Sequence, residues 1–270
     1  MSANFTSWLT ESRRLIGMIH LLGQPGTPQA CDINKMIEKS CEEAYELQTH
    51  GFDAIIIENM HDAPYIKENI GPEIVASMAR AATEIRKIFK GFIGIQVLAA
   101  GNKESLSIAN ACNLDFIRVE GFSYAHVADE GIIEACAGNL LRERARINAN
   151  KIAILADIKK KHASHNLTKD LTITDWVQGT LFCGADGLII TGDHTGKPPS
   201  LNDLKEADSC TNAPILCGSG ATNLNIDEIF KFANGIIVGS SIKKKSNWKN
   251  AIDPKKCEEL INIRDSIKKI

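Results

Sequence analysis

Short apolar runs recur about eight times along the chain, and each is followed by a stretch with helical spacing. The runs are rich in β-branched residues and end in a polar residue or a glycine. They occupy residues 15–20, 53–58, 92–98, 115–120, 152–157, 187–191, 214–217 and 235–239. Near-continuous apolar runs are typical of parallel strands that are buried on both faces. Eight such strands alternating with helices predict an α/β fold, a single closed (β/α)8 TIM barrel.

Helix starts are marked by polar and proline residues at the expected places. Three pairs have the spacing of a capping box, namely Thr172 with Asp175, Ser200 with Asp203, and Asn225 with Glu228. Residues 1–270 contain no linker or low-complexity tract, so one domain is predicted. We expect residues 1–14 to form an N-terminal extension whose short helix closes the bottom of the barrel. The longest irregular segments, 22–32, 120–136 and 159–171, each follow a strand and are expected to cover a ligand.

Composition excludes several classes of partner. The 31 basic and 33 acidic residues give a net charge of −2, which provides no electrostatic basis for binding nucleic acid or an anionic membrane. No segment approaches the roughly 20 apolar residues of a membrane span. The one basic run, 243–245, is predicted to be a solvated loop, with a contribution to anion attraction as the alternative. We expect a small-molecule partner and a homo-oligomer.

Cysteine usage indicates the compartment. The eight cysteines have no CxxC spacing, and several lie in apolar stretches, which is typical of reduced, buried thiols. The prediction is therefore a cytoplasmic protein without disulfides or a zinc site. The alternative is a mitochondrial protein, because the N-terminus contains Arg13 and Arg14 with one acidic residue before them.

Polar residues collect where the predicted strands end, which is the face that carries the active site in TIM barrels. The set comprises His20, Glu58, Asn59, Gln96, Arg118, Glu120, Asp157, Lys159, Thr191 and Asp193. Since residues two apart on a strand share a face, Arg118 and Glu120 are expected to point the same way, as are Asp157 and Lys159. If only one of these two pairs were present, a structural ion pair in the barrel mouth would be sufficient to explain it. Burying polar groups on five strands is costly without a ligand, which favours a binding site.

The last two strands end in glycine-containing turns. Strand seven is followed by Gly218, Ser219 and Gly220, and strand eight by Gly239, Ser240 and Ser241. Glycines let backbone N–H groups approach an anion, and TIM barrels often bind phosphate with the loops after strands seven and eight. These six residues are therefore predicted to bind phosphate, although each turn alone would also suit an ordinary loop.

Across these strand ends the chain resembles the BtpA family. The resemblance is carried by residues 16–21, 25–28, 58–64, 116–120, 156–163, 191–196, 218–220 and 237–243, and it extends from about residue 15 to the C-terminus. It implies a TIM barrel of the ribulose-phosphate-binding type. The segment Leu22-Gly23-Gln24, the stretch 99–102 and Glu120 depart from the bacterial pattern inside the predicted pocket, so the resemblance does not supply the substrate.

The resemblance also favours Lys161 over Lys159 as the reactive lysine, because Lys161-His162 matches the family motif. We predict Asp157, Lys161, Glu58 and His20 as catalytic residues. The predicted substrate-binding residues are Asn59, Gln96, Arg118, Glu120, His162, Thr191 and Asp193. The lysine would act either through a Schiff base or in proton transfer. The sequence requires no cofactor; a divalent metal held by His20, Glu58, Asp157 and Asp193 is the alternative.

Three functions follow from these expectations. The first is a lyase or isomerase acting on a small phosphorylated sugar or nucleotide-derived metabolite, and its support is the predicted phosphate site facing Asp157, Lys159, Glu58, Arg118 and His20. The SgcQ-like branch of the family sits among sugar-metabolism genes. The second is a non-catalytic assembly or stability factor, as the photosystem I biogenesis role behind the family name implies. The third is a sensor that binds a phosphorylated ligand without turnover. The barrel alone cannot distinguish them, because it hosts many chemistries.

Overall fold

The computed structural model describes residues 2–67, 69–160, 162–192 and 198–268, and it contains a closed barrel of eight parallel strands. In chain order the strands are β1 (Arg14–His20), β2 (Ala54–Glu58), β3 (Phe92–Gln96), β4 (Phe116–Val119), β5 (His126–Ala128), β6 (Gly131–Ile133), β7 (Ala153–Ile158), β8 (Ala163–Ser164), β9 (Gly187–Ile190), β10 (Ile215–Cys217) and β11 (Gly235–Val238). All except β5, β6 and β8 belong to the barrel. Each predicted run overlaps one barrel strand, so the predicted fold is confirmed.

Helices follow the barrel strands and surround them. They are α1 (Ser2–Thr10), α2 (Ile33–Thr49), α3 (Pro72–Ile88), α4 (Asn102–Ala111), α5 (Ala137–Arg146), α6 (Ile173–Phe182), α7 (Leu201–Cys210), α8 (Ile226–Ile229) and α9 (Pro254–Lys268). None of the described helices is long and apolar enough to cross a bilayer.

The predicted helix caps differ in outcome. Thr172 and Asp175 form the reciprocal capping box at the start of α6. The Ser200 hydroxyl accepts a hydrogen bond from the Asn202 N–H at 3.2 Å. The Asn225 side chain does not cap α8; its Oδ1 accepts the Thr222 N–H instead, at 2.8 Å.

Aromatic and aliphatic side chains fill the barrel interior. Phe116 and Leu155 lie there with Phe5 and Leu9 of α1 in one buried cluster. The rings of Phe5 and Phe116 stack with their centroids 4.5 Å apart. The helix α1 therefore closes the bottom of the barrel, as predicted, and the layer containing Phe116 supports the polar layer above it.

Strand register fixes that polar layer. His20 lies opposite Glu58 across β1 and β2, and Glu58 lies opposite Gln96 across β2 and β3. Gly94 pairs with Phe116 across β3 and β4, which places Arg118 beside Gln96, two residues further along each strand. Because residues two apart share a face, His20, Glu58, Gln96 and Arg118 form one inward-facing arc at the C-terminal end.

A small antiparallel sheet connects the two long segments after β4 and β7. In it β5 pairs with β6 and also with β8, in the order β6-β5-β8. The segments that were predicted as irregular therefore contain short strands, and hydrogen bonds between β5 and β8 join them.

Candidate active site at the mouth of the barrel

A cavity of about 180 Å³ lies at the C-terminal end of the barrel, between β1, β2, β10 and β11. One side is formed by the turns 218–220 and 239–241, which we call the anion cradle. His20, Glu58 and Arg118 line the same cavity. The structure thus places the predicted phosphate-binding turns and three of the predicted polar residues around one space.

The anion cradle presents unpaired backbone donors. Within the described residues, the N–H groups of Gly220, Ser240 and Ser241 donate to no backbone oxygen. Gly218 is different, because its N–H donates to the Ile190 carbonyl at 2.8 Å. Phosphate binding by the Gly218 N–H, which the sequence suggested, is therefore a wrong expectation. Gly218 matters through its lack of a side chain, since a Cβ there would lie 2.6 Å from the methyl carbons of Ile189 and Thr191.

The His20 ring lies between the anion cradle and Glu58. Its Nδ1 is 3.4 Å from the Trp248 carbonyl, which can only accept, so Nδ1 carries the proton of that contact. Its Nε2 is 3.7 Å from Glu58 Oε2. Both side chains are buried, at 7% and 6% exposed. The two side chains therefore face each other at a distance longer than a hydrogen bond.

Arg118 and Asp157 form a buried bidentate ion pair. Arg118 Nε donates to Asp157 Oδ2 at 3.0 Å, and Nη2 donates to Oδ1 at 2.9 Å. Burial lowers the pKa of Arg118, but the charge and hydrogen bonds of Asp157, with smaller contributions from Glu58 and Glu120, raise it overall. The Asp157 side chain is fully inaccessible and lines neither cavity at the mouth. Asp157 therefore holds Arg118 in place and does not reach the cavity itself.

A second cavity of about 180 Å³ adjoins the first, and both are lined by Glu58, Met60 and Arg118. The further lining residues are Tyr65, Gln96, Leu98, Glu120, Asp129, Glu130, Lys160 and His162. Arg118 and Glu120 face the same side, as strand alternation predicted. The two cavities together give an elongated site that crosses the barrel mouth.

Lys160 and Glu120 form an ion pair in the second cavity, with Nζ 3.2 Å from Oε2. The same carboxylate oxygen accepts the Ala100 N–H at 3.1 Å. Burial lowers the pKa of Lys160, but the attraction of Glu120, Glu130 and Asp157 outweighs burial and raises it overall. Lys160 is therefore held as an ammonium ion.

The lysine predictions need correction. β7 ends at Ile158, and Lys159 has a φ of 48°, so strand alternation stops before it. Lys159 does not share the face of Asp157, and Lys160 enters the second cavity instead. Lys161 lies outside the described residues, as does Asp193, and their predicted roles stay predictions.

Three other predicted substrate-binding residues have different surroundings. His162 is exposed and lines the second cavity. Thr191 is buried, and its hydroxyl donates to the Lys159 carbonyl at 3.4 Å. Asn59 lines neither mouth cavity; its Oδ1 accepts the Leu98 N–H at 2.7 Å and its Nδ2 donates to Asp62 at 2.9 Å. Asn59 therefore ties the segment after β2 to the segment after β3, and its predicted substrate contact stays a prediction.

The metal alternative gains no support from the described part of the chain, where no three histidine, cysteine or acidic side chains cluster as metal ligands. Both oxygens of Asp157 already accept from Arg118.

The basic run 243–245 is not uniformly solvated. Lys244 and Lys245 are exposed, but Lys243 is fully buried, and its Nζ lies 2.6 Å from Glu43 Oε2 on α2. Burial lowers the pKa of Lys243, and Glu43 partly offsets this. The pair anchors the chain directly after the cradle turn 239–241 to α2.

Sequence reasoning missed several lining residues, namely Tyr65, Glu130, Lys160 and Trp248. Glu130 and Trp248 lie outside the barrel strands, on segments whose path over the mouth has no periodic signal. For Lys160 the signal was its position beside Lys161 in the predicted motif, but the local backbone decides which lysine turns inward.

The family comparison agrees with the resemblance in the sequence. Residues 11–266 match the model described as the BtpA family. An uncharacterized mitochondrial protein of Caenorhabditis elegans is 42% identical over 268 residues, which cover 97% of this chain and 96% of that protein. The protein named Photosystem I biogenesis protein BtpA, from Synechocystis, is 37% identical over 244 residues, or 89% of this chain and 84% of that protein.

Solved structures agree on the barrel. The (S)-3-O-geranylgeranylglyceryl phosphate synthase of Thermoplasma acidophilum superposes with a TM-score of 0.64 at 13% identity, covering 100% of this chain and 99% of the synthase. The phosphoribosyl anthranilate isomerase of Thermus thermophilus superposes with a TM-score of 0.59 at 12% identity, covering 94% and 99%. Their names describe enzymes that act on phosphorylated compounds. At 12–13% identity, the likeness to this chain shows the shared fold alone.

Proposed function

The chain belongs to the BtpA family, and we propose that it is an enzyme of lyase or isomerase type acting on a small phosphorylated sugar. One observation carries the proposal. The anion cradle, with its unpaired backbone N–H groups, and the buried His20–Glu58 pair line a single cavity. A phosphate bound by these amides would hold the rest of a small molecule against that pair.

The relatives of known structure support the phosphate part of this proposal. The synthase was solved in complex with its substrate sn-glycerol-1-phosphate, and the isomerase is named for a phosphoribosyl compound. Their barrels superpose on this one. We infer that this chain uses its cradle, at the loops after β10 and β11, for the same chemical group.

Proton transfer is the reaction that the side chains support. In this proposal Glu58 removes a proton from the carbon next to a substrate carbonyl, with His20 as the paired acid or base. Lys160, held as an ammonium ion by Glu120, donates a hydrogen bond to the oxygen on which negative charge develops. A Schiff base needs a neutral amine, so the raised pKa of Lys160 argues against that role for it. Lys161 stays a candidate for a Schiff base.

Solvent exchange tests the proposal. Phosphorylated ketoses and aldoses are incubated with the protein in D2O, and NMR follows loss of the hydrogen on the carbon beside the carbonyl. We expect exchange with the wild type, and a loss of at least about 100-fold in Glu58→Gln and His20→Asn, because general acid–base catalysis contributes roughly 10²–10⁴. Glu258→Gln, on the exposed face of α9, is the matched control.

Borohydride separates the two lysine chemistries. If the reaction runs by proton transfer alone, reduction in the presence of substrate leaves the protein mass unchanged, whereas a Schiff base yields a covalent adduct. If the protein is instead a non-catalytic assembly factor, substitutions of the polar residues in the barrel mouth should leave its assembly role intact. Phosphate-dependent binding without exchange by any phosphosugar would support the sensor instead.

The compartment is inferred from the cysteines and from one relative. All eight cysteines are free in the structure, and three of them are buried. Free thiols in this number are typical of a reducing compartment. We infer the cytoplasm as the location, with the mitochondrion as the alternative that the name of the Caenorhabditis elegans relative suggests.

A further inference from the structure

The side chain of Gln96 lacks partners although it is almost fully buried. It is 1% exposed, and neither Oε1 nor Nε2 has a hydrogen-bond partner among the described residues. It lines the second cavity, between Glu58 and Arg118 in the polar arc. Buried amides normally find partners, because an unsatisfied one destabilises the fold. An unpaired amide at a cavity wall is therefore placed for a ligand.

An independent observation comes from Glu130, on the loop between β5 and β6. Its Oε2 is also buried without a hydrogen-bond partner and lines the same cavity. Glu130 and Gln96 belong to different elements, and the atoms of both that lack hydrogen-bond partners border the same cavity. Together they offer a donor and two acceptors to whatever occupies it.

The charges that line the second cavity restrict which ligands can bind there. The described side chains of the second cavity include four carboxylates, Glu58, Glu120, Asp129 and Glu130. Against them stand Lys160 and the guanidinium of Arg118, which Asp157 already neutralises. The pKa of Tyr65 is raised by burial and then by Glu58, Glu120 and Glu130, which shows the same negative field. A second anionic group would be repelled here.

We propose that the second cavity binds the neutral polyhydroxyl end of a sugar monophosphate, with Gln96 as a specificity-determining residue. This inference rests on the proposed function and deepens it. Adjacent hydroxyls both donate and accept, so one pair can satisfy both atoms of the Gln96 amide while other hydroxyls donate to Glu58, Glu120 or Glu130. A carboxylate cannot donate to Gln96 Oε1 and meets the carboxylates unfavourably. Sugar acid phosphates and bisphosphates are therefore excluded.

Binding is measured by calorimetry with probes that differ at one end. The neutral set is ribose 5-phosphate, glucose 6-phosphate and fructose 6-phosphate. The anionic set is 6-phosphogluconate and fructose 1,6-bisphosphate. Inorganic phosphate reports the anion cradle alone, and uridine 5′-monophosphate offers an amide edge in place of a polyol. We expect one neutral sugar phosphate to bind at least about tenfold more tightly than inorganic phosphate and than either anionic probe.

Gln96→Met tests the residue with little change of length. It should weaken the best neutral probe about tenfold and leave the affinity for inorganic phosphate unchanged. Its melting temperature should equal or exceed that of the wild type, because an unpaired amide is removed. Gln178→Leu, on the exposed side of α6, is the control and should change neither affinity.

Three results would overturn the assignment. They are equal binding of 6-phosphogluconate and its neutral counterpart, unchanged sugar affinity in Gln96→Met, and Gln96-dependent binding of uridine 5′-monophosphate alone. The proposed function would fail in a different way: the wild-type protein would not bind inorganic phosphate, or it would not catalyse proton exchange. If proton exchange alone were missing, the protein would still bind neutral sugar phosphates in preference to anionic ones, and this preference would still depend on Gln96.

Discussion

Gly239 lies against the His20 ring on the wall of the cavity: a Cβ added to Gly239 would lie 3.2 Å from His20 Cε1 and 3.5 Å from its Nε2. The turn of the anion cradle therefore packs directly against the ring of the proton-transfer pair. Any side chain at Gly239 would have to displace that ring, because the ring is buried and its Nδ1 contacts the Trp248 carbonyl. The proposed anion site and the proposed proton-transfer pair thereby meet at one glycine.

Gly239→Ala should lower catalytic efficiency more than stability. Displacing His20 by a few tenths of an ångström misaligns it with Glu58, and we expect kcat/KM in the exchange assay to fall about tenfold, or ~1.4 kcal/mol of barrier. Gly138→Ala, in α5, is the control, because its Cβ would meet only the flexible end of Arg142. Equal rates in both variants would contradict the contact's importance.

Asp157→Asn should destabilise the fold strongly. It removes the charge that neutralises buried Arg118, and breaking such a pair costs about 3–5 kcal/mol. The free energy of unfolding in urea measures this. Glu143→Gln, which breaks the exposed pair with Arg146, should have little effect. A double variant with leucine at both Arg118 and Asp157 should recover much of the loss; a loss as large as in the single variant would show that the pair itself, rather than an unpaired charge, matters.

Lys243→Met should also destabilise the fold, whereas substitutions at its exposed neighbours Lys244 and Lys245 should not. Glu43 would be left buried without its cationic partner, at a cost of about 3–5 kcal/mol. Lys244→Met changes an exposed residue and provides the matched control. If both variants unfold at the same urea concentration, the 2.6 Å contact between Lys243 and Glu43 contributes nothing.

Stability should fall as the pH is lowered from 6.5 towards 4. Burial, with the nearby His165 and Lys160, lowers the pKa of His126 from 6.5 to about 4. Above pH 6.5 neither state binds the proton. Between the two values the unfolded state binds it and the folded state does not, so stability decreases with falling pH.

Urea unfolding at pH 7 and pH 5 measures the size of this loss. Allowing for partial screening by water, we expect His126 to account for about 1–2 kcal/mol. Between pH 7 and pH 5, the free energy of unfolding of His126→Phe should fall by less than that of the wild type. Identical pH dependence in the two proteins would show that His126 titrates normally in the folded state.

Much of the fold could be predicted because the barrel repeats one pattern. The barrel strands are mostly apolar, with most of their polar residues towards their C-terminal ends, and the box of Thr172 and Asp175 uses only residues that are close in sequence. Asn225 has the same spacing, but its side chain accepts from Thr222 instead. The spacing alone does not decide between a cap and a turn.

The site was predicted where strand alternation holds and missed where it ends. His20, Glu58, Gln96 and Arg118 lie on strands, and register brings them together. Lys160 lies just after a residue with positive φ, which reverses the expected side. The burial of Lys243 depends on Glu43, 200 residues earlier, and no local pattern reveals such a partner.

The central claim is that the anion cradle binds phosphate, and a crystal structure with inorganic phosphate tests it most directly. We predict phosphate density within hydrogen-bond distance of the N–H groups of Gly220, Ser240 and Ser241, with His20 and Arg118 lining the same cavity. Density for phosphate elsewhere, with the cradle amides bonded to protein groups instead, would contradict the claim.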